Sequence, residues 1–286
     1  MPVSDFPRGA PVANDYGECI VIDKPIPFDL DGIWSTARSG SSCIAGNLQL
    51  LCGIGPVTEA RLRAEGYDTL YDLLDHPRWA DLARPVVEAL ERSDGPALAQ
   101  LGVRDVELLS LCGPGDIVFV DIETTGLAST CPLFMIGMLL PESAHELRLI
   151  QAFARDYDEE AAVLEEARIR LAGARAVVTY NGKSFDMPFI LRRMAYHGWA
   201  DELGVMVIDL RWPARRRWYG ALPNCKLATI QSIVLDCPRE GDIPGQLIPE
   251  VYVEYVRTGD PGLVLPIIDH NELDLLAMAG LLPHLV

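Results

Sequence analysis

The sequence predicts an α/β fold, a mixed β-sheet flanked by helices, with a small all-α domain preceding it. Three features predict it. From about residue 113 onward, short runs of β-branched and aromatic residues alternate with longer segments of helical period. The first three of those runs are separated only by turns, which favours an antiparallel meander before helical crossovers begin. Residues 47–110, by contrast, show helical period alone, punctuated by Gly and Pro.

Residues 1–46 are rich in Pro, Gly and Ser and hold one strand-like patch, Glu18 to Asp23 (ECIVID). An irregular leader with a short strand is expected there, ending in the loose stretch TARSGSSCIAG. From 47 to 110, NLQLLCGIGPVTEARLRAEGYDTLYDLLDHP opens with a helix-like stretch and a Gly-Ile-Gly-Pro turn, followed by a helix stopped at Gly66 and a third amphipathic segment. Gly53 and Gly55 permit a tight turn, and Pro56 is tolerated in the first turn of the following helix. The segment resembles a helix-hairpin-helix module, which implies that the turn at Gly53 and Gly55 aims backbone N–H groups at a nucleic-acid phosphate. Charge opposes that role. Glu59, Glu65, Asp68, Asp72 and Asp75 against Arg61 and Arg63 leave this stretch at −3, so phosphate contact and a purely structural module both stay open.

In the third segment, 113–286, DIVFVDIE reads as a buried strand, with CPLFMIGMLL and HELRLIQAF as the next two. DYDEEAAVLEEARIRLAG predicts an amphipathic helix, RAVVTYN a short buried strand, DMPFILRRMAYHG a helix, GVMVIDL a further strand and DHNELDLLAMAGLL a closing helix. No internal repeat is visible.

Composition narrows the function classes. The 286 residues are 49% hydrophobic and 23% charged, ordinary for a globular protein, with no apolar run near the roughly 18 residues of a membrane helix. MPVSDFPRGA carries no export or organelle signal, so a cytoplasmic protein without a membrane partner is expected. Seven cysteines (19, 43, 52, 112, 131, 225 and 237) include no CxxC pair, favouring reduced thiols over disulfides or zinc. The net charge of −17 is wrong for a generic nucleic-acid binder, whose affinity comes largely from cations on phosphates. A nucleic-acid role must therefore use metal ions or a local basic patch.

Asp121 and Glu123 lie inside the apolar run DIVFVDIE, where an unpartnered carboxylate is strongly disfavoured. Two residues apart on a strand, they point to one face, a spacing suited to oxygen ligands of hard divalent cations. Asp186 follows the loop YNGKS at the start of a helix, where an N-cap role is the competing reading. Asp274 lies four residues after His270 on the last helix, so both occupy one helix face.

D-x-E-T-T-G-L at 121–127, Y-N-G-K-S-F-D at 180–186 and H-N-x-x-D at 270–274 resemble the three motifs of the DEDD superfamily of metal-dependent 3′-5′ exonucleases, which have a ribonuclease-H-like fold. With its helix-hairpin-helix-like segment, the whole is similar to the YprB-like group of that superfamily. The resemblance implies that Asp121, Glu123, Asp186 and Asp274 hold two Mg²⁺ or Mn²⁺ ions, one activating water and the other stabilising the leaving 3′ oxygen. It implies His270 as general base, although its four-residue spacing from Asp274 is that of members using tyrosine. His197 is expected to be a surface or C-terminal capping residue, Asp209 a helix cap, with contact to substrate or to the site residues as its competing reading, and Asp269 and Glu272 surface residues.

Candidate nucleic-acid contacts are Thr124, Thr125 and Leu127 after the first motif and Asn181 and Lys183 before Asp186. A further set lies in RWPARRRWYGALPNCK (211–226), which carries five cations, three aromatics and no acid. Arg215, Arg216 and Lys226, interleaved with Trp212, Trp218 and Tyr219, suit phosphates and stacked unpaired bases. The competing reading pairs those arginines with the chain's own acids. The function expected is a metal-dependent 3′-5′ exonuclease acting on single-stranded DNA or RNA. A non-catalytic nucleic-acid-binding protein and a structure-specific endonuclease are the alternatives.

Overall fold

Residues 6–29, 44–199 and 203–285 are described by the computed structural model and fall into two units, one of residues 6–29 with 114–285, the other of 44–113. The stretch DGIW and most of TARSGSSCIAG lie outside the described residues.

In the first unit seven strands form one sheet: β1 (Ala10–Asn14), β2 (Gly17–Pro27), β3 (Ile117–Thr124), β4 (Leu133–Ser143), β5 (Glu146–Phe153), β6 (Ala176–Thr179) and β7 (Met206–Asp209), in the order β1-β2-β5-β4-β3-β6-β7. β3, β4 and β5 pair antiparallel as the expected meander, while β6 pairs parallel to β3 and β7 parallel to β6. The sheet is therefore mixed, flanked by helices, and β3 lies between the two halves.

The leader differs from expectation. Its described part is a two-stranded extension of this sheet: β1 and β2 form a hairpin across Asn14 and Gly17, and β2 pairs with β5 from Ile20 to Pro27. The patch at 18–23 was legible because Cys19 to Ile22 are buried. Pro11, Pro25 and Pro27 conceal the rest, because proline reads as a strand breaker. They are tolerated because β1 is an edge, and beyond Val21 β2 has no partner on the β1 side among the described residues.

The unit's helices are α5 (Glu160–Leu171), α6 (Asp186–Tyr196), α7 (Arg211–Trp218), α8 (Leu227–Ile233), α9 (Ile248–Thr258) and α10 (Leu265–Leu281), numbered after α1–α4 of the other unit. α5 is not amphipathic as expected: Glu160, Ala162 to Ala167 and Leu171 are all buried, because β1, β2, β4, β5 and α6 surround it. Its buried acid Glu160 accepts from the Leu133 amide (2.7 Å) and Arg193 Nε (2.7 Å), and meets His197 Nε2 at 2.9 Å. Burial without a partner would be costly; here each oxygen is matched. His197 is thus a C-cap residue of α6 whose ring is spent on structure. Across the sheet, α10 packs on β3 and β4, and α9 on β3. Tyr252 of α9 stacks on Phe134 at 3.7 Å between ring centroids and donates its hydroxyl to Ala154 O at 3.0 Å.

In the second unit the expected first helix is a 3-10 turn, Leu48–Leu50, followed by α1 (Pro56–Ala64), α2 (Ala80–Glu91), α3 (Gly95–Gln100) and α4 (Asp105–Leu108). Gly53 has φ +91 with the Trp79 ring 3.3 Å from where a side chain would begin. Gly55 is the extended N-cap of α1, with Pro56 next. The beginning of α1 exposes Val57.

Candidate active site

β3 delivers Asp121 and Glu123 to the same face, each half-buried between fully buried neighbours. Past Phe119 the strand has outrun β6, so the Ile122 amide needs another acceptor. Asp186 supplies it. The residue is the first of α6 rather than its N-cap, and its buried carboxylate accepts from its own N–H and that of Ile122. The capping role weighed for Asp186 is therefore not the one it plays.

α10 brings the remaining motif across the sheet. Asn271, fully buried, donates Nδ2 to Asp121 Oδ2 at 2.8 Å and accepts from Gln151 Nε2 at 3.0 Å. Gly137, paired with Asp121 across β3 and β4, leaves the room: a Cβ there would lie 1.9 Å from Asn271 Oδ1. Asp274 pairs with Arg239 Nη2, and Arg239 also meets Asp242 Oδ2 at 3.1 Å and Gln231 Oε1 at 2.6 Å. His270 Nδ1 lies 2.8 Å from Asp242 Oδ1, and its Nε2 3.7 Å from Asp274 Oδ2.

The acids act on one another. Burial, then Asp274, Glu123 and Asp186, push the Asp121 carboxyl well above its usual range, against the Asn271 hydrogen bond. Burial, then Asp274, Asp186 and Asp242, do the same to Glu123. Asp186 is raised to about 7, chiefly by burial, with Asp209 and Asp274 adding repulsion while its two backbone N–H donors act the other way. The charges perturbing these three groups are other carboxylates; the Arg239 guanidinium neutralises the Asp242 and Asp274 side instead.

That donor set, hard oxygens in excess over cations, fits divalent ions such as Mg²⁺ or Mn²⁺. Among the described residues, however, no three Asp, Glu, His or Cys side chains already close around a common point. Asn271 holds Oδ2 of Asp121 and Arg239 holds Oδ1 of Asp274, so one oxygen of each carboxylate is left to an ion, with the Arg239 guanidinium competing for Asp274.

Beside Glu123 opens a cavity of about 380 Å³ whose wall includes Thr124, Leu127, Phe185 and Gly245. Leu127 is 88% exposed at its rim. Thr124 and Thr125 turn their hydroxyls into the β3–β4 loop, on Gly126 O at 2.9 Å and Pro132 O at 3.2 Å. Asn181 has φ +75 and accepts from Arg211; its N–H and that of Lys183 donate to Asp209 at 2.8 and 3.3 Å. Asp209, which also accepts from the Arg211 amide at 2.9 Å, is thus the anchor of the loop leading to Asp186, while the N-cap of α7 is Leu210 and not the expected Asp209.

In α7, Arg215 lies over the Trp212 and Tyr219 rings at 5.3 and 5.6 Å, and Arg217 over Trp218 at 5.7 Å. Trp212 and Tyr219 are exposed. Arg216 follows on the same helix and Lys226 is the N-cap of α8. Asp269 and Glu272 pair with Arg8 and Lys24, away from the acid cluster. Sequence inspection missed Arg239, Asp242, Asn271 and Gly137. Only Asn271, a polar residue in an apolar helix and inside the third motif, left a signal.

The family described as "RNase_H superfamily" matches residues 118–286. The chain is also similar to the Bacillus subtilis (strain 168) protein named "Uncharacterized protein YprB", with 29% identity over 189 residues, covering 59% of this chain and 42% of that relative. It thus spans less than half the relative's length. Among solved structures it is similar to a family B DNA polymerase from the hyperthermophilic archaeon Pyrobaculum calidifontis, at a TM-score of 0.46 and 17% identity, covering 58% of this chain and 24% of the polymerase.

Proposed function

The chain belongs to the RNase_H superfamily, and on that premise we propose that it is a divalent-metal-dependent nuclease, a 3′-5′ exonuclease of the DEDD type acting on single-stranded DNA or RNA in the cytoplasm. One observation carries the reading: Asp121, Glu123, Asp186 and Asp274, from β3, α6 and α10, form one mutually repelling cluster beside an open cavity. Such a cluster destabilises the fold unless a cation offsets it, and is retained where the cation does chemistry.

Those four carboxylates would hold the ions, whose chemistry is to activate water and to stabilise charge on the attacking and leaving oxygens. The protein's own contribution is positional. Asn271 fixes one Asp121 oxygen, and the Ile122 amide fixes Asp186. His270 presents a ring nitrogen next to Asp274, placed to orient or accept a proton from water. Leu127 and Phe185 offer apolar surface to a terminal base, and the arginines and rings of α7 suit the phosphates and bases of a following single strand. The 47–110 segment is proposed as a helix-hairpin-helix module, its Gly53–Gly55 turn supported by the positive φ at Gly53 and the N-terminus of α1.

A second reading, a non-catalytic nucleic-acid-binding protein, draws support from the engagement of Asp274 by Arg239. Wild type and Asp121→Ala, each assayed on 3′- and 5′-labelled single-stranded and duplex DNA and RNA with Mg²⁺ or Mn²⁺, separate the two. Mononucleotide release from the 3′ end by wild type alone is expected. Internal cutting would make the protein an endonuclease. Equal activity in Asp121→Ala, or none in wild type together with no Mn²⁺-dependent thermal stabilisation, would refute the assignment.

A further inference from the structure

We propose that Asp242, in the loop between α8 and α9, is a positioning residue that sets the tautomer of His270; its catalytic consequence rests on the nuclease reading above, while the tautomer itself does not. Both oxygens of Asp242 are assigned. Oδ2 meets Arg239 Nη1 at 3.1 Å, and Oδ1 lies 2.8 Å from His270 Nδ1. A carboxylate can only accept, so in the neutral ring Nδ1 carries the proton and Nε2 keeps its lone pair.

That lone pair is aimed usefully. His270 Nε2 would lie 3.6 Å from a Cβ on Gly245, one of the residues walling the cavity beside Glu123. Asp274 Oδ2, 3.7 Å away, is too far to take up Nε2 as a hydrogen-bond partner. With Asp242 and Arg239 held nearly out of solvent, the ring cannot rotate without leaving Asp242 Oδ1 without its partner. The other tautomer would place N–H where an acceptor for a water proton is needed. In the reaction, the proton passes from water to Nε2 as the water oxygen bonds to phosphorus and the bond from phosphorus to the leaving 3′ oxygen breaks, giving an imidazolium whose Nδ1–H remains on Asp242.

The arrangement also bears on the spacing of His270, four residues before Asp274 on one helix face. The ring is steered by a loop carboxylate 28 residues away in sequence, so its aim is not decided by helix position alone.

The test uses the full metal-free chain, labelled with ¹⁵N-histidine, at a pH where the ring is neutral. Wild type should show His270 protonated at Nδ1, and Asp242→Asn should shift it to a mixture or to the Nε2–H form. Activity with Mn²⁺ is then measured in a cycle. Asp242→Asn should lower kcat on the order of 100-fold or more with KM little changed, and should cost nothing further in a His270→Ala background. An Nε2–H tautomer in wild type overturns the proposal, as does an equal loss from Asp242→Asn whether or not His270 is present. Should wild type lack nuclease activity, the functional reading fails, and the wild-type tautomer still decides the role of Asp242 even if the variant does not fold.

Discussion

Replacing Asp186 by Asn should make the metal-free protein more stable at pH 8 and weaken its response to divalent cations. The Asp186 carboxyl is buried, and its pKa is raised from 3.8 to about 7. A carboxyl raised in the fold holds its proton more tightly folded than unfolded. Its destabilising contribution is therefore complete above about pH 7 and is relieved as pH falls toward 3.8. At about 1.4 kcal/mol per pH unit, that gap amounts to roughly 4 kcal/mol at pH 8. Asn keeps the volume and one acceptor oxygen for the N–H groups of Asp186 and Ile122. The two N–H donors are already counted in the value of about 7, but the NH₂ that Asn adds must be buried in place of an acceptor oxygen, which returns about 1–2 kcal/mol. A net gain of about 2 kcal/mol corresponds to a Tm rise of roughly 4–8 °C. Thermal unfolding in a chelator at pH 5.5, 7 and 8.5 measures it: Asp186→Asn should exceed wild type most at pH 8.5, and the difference should shrink at 5.5. Added Mn²⁺ should raise the wild-type Tm far more than the variant's. If Asp186→Asn is less stable than wild type at pH 8.5, or gains equally from Mn²⁺, the carboxylate is a structural acceptor and the reasoning is refuted.

Three more outcomes are expected. Gly137→Ala drives a methyl into Asn271 Oδ1 and should cost about 1–3 kcal/mol through overpacking alone, read as a lower Tm; an unchanged melt would mean that the Asn271 bridge to Asp121 is dispensable. Arg239→Gln removes the guanidinium from Asp242 and Asp274, so stability in a chelator should fall by about 3 kcal/mol while the Tm gained on adding Mn²⁺ should grow, because no guanidinium then competes for Asp274. Arg215→Gln and Arg216→Gln should each weaken single-strand binding and reduce the slope of log affinity against log salt by about 0.7; an unchanged slope would remove α7 from the interface.

The local rules that held did so where a single segment decides its own environment. DIVFVDIE reads as a central strand because its apolar residues occupy both faces, and two acids in such a strand must share a face whatever surrounds them. Asp186 and Asp274 could be singled out because each opens or faces an amphipathic or apolar helix within a spaced motif. The arginine-rich segment was visible for the same local reason, while whether its cations meet acids or rings depended on packing. In α7 the recorded partners of Arg215 and Arg217 are aromatic.

What only the tertiary structure decided are relations between distant segments. The β1–β2 hairpin joins the sheet because β5 offers its edge to residues 20–27 and α5 packs on β2, and its edge position excuses the prolines that disguised it. Asn271 meets Asp121 across 150 residues, and Arg239 meets Asp274 across 35. Neither pairing has a period or a local preference that could announce it. The amino-acid sequence by itself thus determined which carboxylates are placed in apolar surroundings and on which faces, since burial pattern and side-chain periodicity are local. Which groups fix, neutralise and aim them was decided by tertiary structure, because hydrogen bonds and ion pairs form between whatever the packed sheet and helices bring within about 3 Å.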